Sequence, residues 1–329
     1  MGLVRLWLLF FIVFVLASCG NSSNQTEKSA ASTAQMSASV PSAKKPLKIA
    51  LVLKTQTNPF FVEMEKGARR AEKVLGIELL VRNSSQETFI EEQIQIVEEL
   101  IEAKVDALVI APGDSQRLIP SIKKAQSAGI VIINIDNPLD QKMMQNQQMQ
   151  PIPFISVDNE SASYHVSMLV ADKIHKPTQV ALLEGLPGAG NAVMRTNGAL
   201  RAIKQNPMMH LVAEETAHWK IDEAHEVARH IFMMHPKVGA LICANDMMAL
   251  GAIQYLADSG RKNVLVVGYD ALDEARAAIK AGTMLATVDQ QAAEQGYQGV
   301  ALAVRALKGE KIPPVLIIDT RVITADTLK

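Results

Sequence analysis

Apolar residues in this chain gather in short unbroken runs separated by longer stretches of mixed polarity. The runs KIALVL from Lys48, ALVIAP from Ala107, IVIINID from Ile130, QVALLEG from Gln179, VGALICAND from Val238 and NVLVVGYD from Asn263 are continuous rather than alternating. That is the pattern of strands covered on both faces. Between two of them, FIEEQIQIVEELIEAK repeats apolar residues Ile90, Ile94, Val97 and Ile101 at intervals of three and four, which predicts an amphipathic helix. Repetition of such β-α units predicts an α/β protein with parallel sheets flanked by helices, here two doubly wound lobes divided near Val157. The Gln/Met-rich stretch NPLDQKMMQNQQMQPIP breaks the rhythm and reads as a surface excursion near the crossover between lobes.

Sheets of this kind bind ligands at the carboxyl ends of their strands, so the residues that end each run are the candidate chemistry. They are Lys54, then Asp136 with Asn137, Asn245 with Asp246, Asp270 after Gly268 and Tyr269, and Gln290 at the end of a short run LATVDQQ. None is an obvious nucleophile. A sugar hydroxyl both donates and accepts, and this set offers both: Asp136, Asp270, Asn137, Asn245 and Gln290 accept, while Lys54 and Arg195 donate. The C–H faces of a pyranose need flat partners as well. Phe60 and Phe61 stand side by side after Asn58-Pro59, in a chain with only 4 % aromatic residues. Asn58 as helix cap and Pro59 in the first turn predict that one ring faces a cleft and the other faces packing. Trp219 offers a further flat surface, and His218 lies beside it.

Composition narrows the class. A net charge of -1 provides no basic field for nucleic acid. The 329 residues are 48 % hydrophobic, enough for two cores. The start MGLVRLWLLFFIVFVLASCG places Arg5 before an apolar run that ends in small residues, the layout of a secretory signal and too short for a comfortable membrane span. Its ending LASCG resembles a bacterial lipobox, in which Cys19 becomes the lipidated first residue. A Ser-, Ala- and Gln-rich stretch from Asn21 reads as a flexible tether. With Cys19 lipidated, Cys243 is the one remaining cysteine, so no disulfide is expected, and its apolar run makes it a buried small hydrophobe. No metal-ligand spacing and no G-x-S-x-G nucleophile motif occurs. The glycines at 185, 188 and 190 of EGLPGAGNAVMRTNGAL fit neither a P-loop nor G-x-G-x-x-G. No cofactor is expected.

With the motifs NPFFVEMEKGA, CANDMMALGA, VVGYDALDEA and ATVDQQAAEQG in order, the chain from Lys48 to about Val322 resembles bacterial periplasmic sugar-binding proteins of ABC importers, of the ribose and allose type. The resemblance implies Lys54, Asn58, Phe60 or Phe61, Asp136 and Asn137 as ligand residues of the first lobe. It implies Arg195, Trp219, Asn245 and Asp270 for the second lobe, with Gln290 at the hinge. Three crossovers would divide the chain into a signal peptide (1–18), a tether (19–46), a first lobe (47–157 plus 291–319) and a second (158–290 plus 320–329). Lys54 looks like the lysine of allose and arabinose binders, whereas ribose binders carry a small hydroxyl residue there. Asn137 replaces the arginine of ribose binders and the acidic residue of allose binders. The implied protein is a monomeric, lipid-anchored receptor outside the cytoplasm that hands a monosaccharide to ABC permease subunits. The same clamp could instead present sugar to a chemoreceptor or histidine kinase. A repressor built on this core would need an N-terminal helix-turn-helix where the lipobox and tether stand. A hydrolase would use Asp136 with Asp270 as its acid/base pair.

Overall fold

The computed structural model describes residues 45–329, and in it each of the six apolar runs forms a parallel strand. The signal peptide, Cys19 and nearly all of the tether lie outside the described residues. The first sheet comprises β1 (Lys48–Leu53), β2 (Glu78–Asn83), β3 (Ala107–Ile110), β4 (Val131–Ile135), β5 (Phe154–Ser156) and β11 (Val315–Ile317), in the order β2-β1-β3-β4-β5-β11. The second comprises β6 (Thr178–Glu184), β7 (Met209–Thr216), β8 (Val238–Cys243), β9 (Leu265–Val267), β10 (Ala286–Asp289) and β12 (Arg321–Thr324), in the order β7-β6-β8-β9-β10-β12. β12 departs from the all-parallel expectation, since it pairs antiparallel to β10 at the sheet edge.

β1 shows why the runs are continuous. Ile49, Leu51 and Leu53 project to one side and join one core cluster, while Ala50 and Val52 project to the other and join a second. Both faces are covered by helices, so no position is left for a polar residue. Full burial of each Ile, Leu or Val contributes about 1.5–3 kcal/mol.

The first sheet carries α1 (Pro59–Leu75), α2 (Ile90–Glu102), α3 (Ile119–Ser127) and α4 (Gln141–Asn146). The second carries α5 (Asn159–Ala171), α6 (Gly190–Gln205), α7 (Ile221–Met234), α8 (Asp246–Asp258) and α9 (Asp273–Lys280). α10 (Ala292–Leu307) returns to pack on α1, β3 and β4. The chain thus passes between the sheets after β5, after β10 and after β11. α4 lies within the Gln/Met-rich stretch, whose residues 141–151 are mostly exposed, so the excursion at the surface contains a short helix. Asp140 caps this helix by accepting from Met143 N at 2.7 Å, and Met144 is buried with Leu139 and Ile152.

Candidate functional site

The carboxyl ends of strands from both sheets converge on a small cavity whose lining side chains are almost all buried. From the first sheet come Lys54 after β1, Asn58, Phe60 and Phe61 at the start of α1, Glu87 after β2 and Asp136 after β4. From the second come Asn191 and Arg195 on α6, Trp219 before α7, Asn245 capping α8, Asp270 after β9 and Gln290 after β10. A larger groove lies alongside, lined by Arg70, Arg276, Asp289 and Glu294 among others. Its arginines are already paired, Arg70 with Glu294 and Arg276 with Asp289, and the aromatic rings and strand-end polar groups gather at the smaller cavity, which is the candidate site.

Asn58 caps α1 as its sequence predicts: its Oδ1 accepts from Phe60 N at 3.0 Å and Pro59 occupies the first turn. The expectation that the two Phe rings part company is corrected. Successive helical side chains point about 100° apart, yet both rings are buried and both border the cavity, 5.0 Å apart and edge to face at 76°. At the opposite wall the Trp219 indole lies against Gly185, where an added Cβ would fall 2.0 Å from the ring, so only glycine fits beneath it.

Two charge pairs organise the polar groups. Lys54 Nζ lies 2.8 Å from Asp136 Oδ2, with both side chains buried. That carboxylate oxygen nonetheless has no aligned hydrogen-bond donor, and neither does the buried Asn191 Oδ1. On the second lobe, the Arg195 guanidinium donates from Nε to Asn159 Oδ1 at 2.8 Å, from Nη1 to Ala244 O at 2.9 Å and from Nη2 to Gln290 Oε1 at 3.4 Å. It also stacks 3.8 Å from the Tyr269 ring centre and lies 3.8 Å from Asp270 Oδ1. Gln290 donates to that same Asp270 oxygen at 2.6 Å. Burial pushes the Asp270 carboxyl well above its ordinary value and the Arg195 charge opposes that push. Beneath this loop Asp246, fully buried, accepts from Thr287 Oγ1 and Leu272 N, and burial raises its pKa to about 6.

Asn137 is the candidate the structure moves out of the site. It is fully buried and does not border the cavity. Its Nδ2 donates to Pro112 O at 3.0 Å, while its Oδ1 accepts from Asn191 N at 3.1 Å across the lobes. Asp136 has a left-handed φ of 62°, which turns the chain there and separates the fates of the two neighbours. His218 stays at the surface with its Nδ1 2.6 Å from Glu223 Oε2. Cys243 is buried as expected, and burial holds its thiol far above the usual range.

Glu87 and Asn191 line the cavity without having been singled out from the sequence. β2, which leads to Glu87, is a half-exposed edge strand, so ELLVRN lacks the continuous apolar signature that marked the other strand ends. Asn191 follows a glycine loop whose sequence fits no phosphate-binding motif. Gly188 and Gly190 instead meet the first lobe: Gly188 O accepts from Ser115 N at 2.9 Å and Gly190 N donates to Ser115 Oγ at 3.0 Å.

Two α/β lobes joined by three crossings, with donors, acceptors and aromatic rings facing each other across a small cavity, define the class of two-lobed solute receptors. Residues 49–311 match the family described as periplasmic binding protein domain, and the chain belongs to that family. It is 38% identical over 266 residues to the D-ribose/D-allose-binding protein of Pseudomonas aeruginosa, covering 80% of this chain and 83% of that protein. It is 34% identical over 268 residues to the D-allose-binding periplasmic protein of Escherichia coli, covering 81% of this chain and 86% of the relative. Among solved structures, a periplasmic solute binding protein of an ABC transporter from Actinobacillus succinogenes, described with bound D-allose, superposes with a TM-score of 0.81. That protein is 34% identical, with 86% of this chain and 99% of that one covered.

Proposed function

We propose that this protein is an extracytoplasmic receptor that captures an aldose of the allose or ribose type between its lobes and delivers it to the permease of an ABC importer. The observation that carries this reading is the cavity itself. It is small and walled by Phe60, Phe61 and Trp219, and it contains a buried acceptor at Asn191 Oδ1 that no protein donor satisfies, beside an Asp136 carboxylate whose Oδ2 is held only by the Lys54 charge. Sugar hydroxyls supply such donors, and the aromatic faces receive the ring's C–H surface. In this reading the ligand residues are Lys54, Asn58, Phe60, Phe61, Asp136, Arg195, Trp219, Asn245, Asp270 and Gln290, joined by Asn191. The Pseudomonas and Escherichia coli relatives, named for ribose and allose, support the choice of sugar class.

The protein acts as a receptor rather than an enzyme. Asp136 and Asp270 lie beside Lys54 and Arg195, an arrangement suited to holding hydroxyls rather than to passing protons. A monomeric body tethered through lipid on Cys19 completes the proposal, and labelling of wild-type protein but not Cys19→Ser by a fatty-acid precursor tests the anchor.

Thermal melting against D-allose, D-ribose, other pentoses and hexoses and several polyols tests the cargo. Ligand at a hundred times its dissociation constant adds about 2.7 kcal/mol of stability. A shift with an aldose supports the reading; no shift across the panel removes simple sugars as the cargo.

A further inference from the structure

Glu87 is the cavity carboxylate that no cation pairs with directly, its nearest opposing charge being the Lys54 ammonium already paired with Asp136. Its side chain reaches the cavity from the loop between β2 and α2, and its Oε1 accepts from Asn58 Nδ2 at 3.0 Å. Lys54 at the end of β1 is paired with Asp136 at the end of β4, and Arg195 on α6 with Asp270. From α1 only the neutral amide of Asn58 faces Glu87. On α2, Glu91 is paired with Arg117 and Glu92 accepts from Ser85. Among the described residues Glu87 joins no ion pair of its own. With Glu87 ionised, three carboxylates would face two cations in a small space. Glu87 is half-buried, and a carboxylate drawn part-way out of water with no cation bonded to it is pushed toward its protonated form.

We infer that Glu87 is a specificity residue of this cavity, closing over the ligand as a neutral carboxylic acid whose Oε1 is held by Asn58 and whose Oε2–H is donated to a ligand hydroxyl. The inference rests on the sugar-receptor reading and adds to it the protonation state of the site. It commits the ligand to a neutral polyhydroxylated molecule, because an amino sugar would call for the ionised form.

The sign of the pH dependence follows from the closed geometry. Burial pushes the Glu87 pKa above its ordinary value, against the Lys54 charge and the Asn58 hydrogen bond. With the lobes open, Glu87 faces water and titrates near an ordinary glutamate. Closure on ligand therefore takes up a proton at pH values between the two pKa values. Affinity is constant below the ordinary value, falls by up to about tenfold per pH unit between the two, and levels off above the raised one.

Calorimetric titration of D-allose and D-ribose from about pH 5 to about pH 8, upward from the ordinary carboxylate range, tests this when run in buffers of different ionisation enthalpy. Wild-type protein is expected to take up as much as about one proton per ligand. Glu87→Gln keeps a donor and an acceptor, so it should bind within about threefold of wild type at low pH and lose the Glu87 share of the proton uptake. Glu87→Ala, which lacks both, should bind about tenfold more weakly there. Unliganded melting of both variants near the wild-type temperature shows that they fold. Undiminished proton uptake in Glu87→Gln would assign the proton to another acid, with Asp270 the first candidate, and overturn the inference. Weak binding by Glu87→Gln at every pH, unchanged binding by Glu87→Ala, or a wild-type preference for glucosamine over glucose would each overturn it too. Absence of binding by wild type to any sugar defeats the receptor reading and this inference together. Binding without proton uptake defeats only the inference.

Discussion

Asp270 sits with φ at 124°, Trp219 at 67° and Asp136 at 62°, so three of the cavity's residues occupy backbone conformations that L-residues rarely adopt. Each such residue costs on the order of 1–3 kcal/mol and persists only where its surroundings hold it. At Asp270 the hold is Gln290 Nε2 at 2.6 Å, the adjacent Arg195 guanidinium and the backbone bond from its own N to Val288 O at 2.8 Å. The carboxylate is aimed before any ligand arrives, and a hydrogen bond to a charged group contributes about 1.5–3 kcal/mol. Asp270→Ala should therefore weaken sugar binding at least about tenfold, measured by calorimetry. Because that carboxyl is disfavoured by its own burial, the variant should melt close to wild type without ligand. Undiminished affinity in a folded variant would take Asp270 out of the site.

Elements place these residues, and the elements differ in how openly the sequence declares them. Strands buried on both faces leave continuous apolar runs, so β1, β3, β4, β6, β8 and β9 could be read directly, and with them the ends that carry Lys54, Asp136, Asn245 and Asp270. β2 could not be read in this way, because a half-exposed edge strand admits Glu78 and Arg82 and so leaves the turn that carries Glu87 without an apolar run before it. Asn137 was misplaced for a different reason. The turn at Asp136 aims the Asn137 side chain at the lobe contact, which periodicity does not encode. That contact also explains the glycine loop before α6. A Cβ on Gly188 would come within 2.2 Å of Asp114 Oδ2. Asp114 cannot swing aside freely, since its Oδ1 accepts from Gln116 N and Arg117 N at 2.7 and 2.8 Å. Gly188→Ala should consequently disfavour closure without touching the ligand and weaken apparent affinity by about tenfold, because the binding-competent fraction scales the dissociation constant. Equal affinity of variant and wild type in the same titration would mean that the loop yields at no cost.

At the scale of the whole molecule, the direct bonds between lobes are few: Ser115 with Gly188 and Gly190, Asn137 with Asn191 N, and Asn191 Nδ2 with Asp136 Oδ1 at 3.4 Å. Hydrogen bonds of this kind each contribute only about 0.5–1.5 kcal/mol net. Opposing them are the half-buried carboxyl of Glu87 and the buried one of Asp270, whose charged forms closure disfavours. The protein's own contacts thus leave the closed form only lightly favoured or disfavoured, as a receptor that must also release its cargo requires. Carrying such an equilibrium from 1:99 to 99:1 takes a ligand that binds the closed state about 10⁴-fold more tightly than the open one. A sugar that touches only the first lobe could not supply that difference, whereas one bridging Lys54 and Asp136 to Arg195 and Asp270 can. Small-angle scattering of the folded body should then give a larger radius of gyration without ligand and contract in saturating D-allose toward the roughly 19 Å of a compact chain of this size. Gly188→Ala should begin at the larger value and need about tenfold more sugar to contract, in step with its lowered closed fraction. If the wild-type radius were the same with and without sugar while calorimetry recorded binding, the lobes would already be closed in solution. The interlobe bonds at Ser115 and Asn191, rather than the ligand, would then set the conformation.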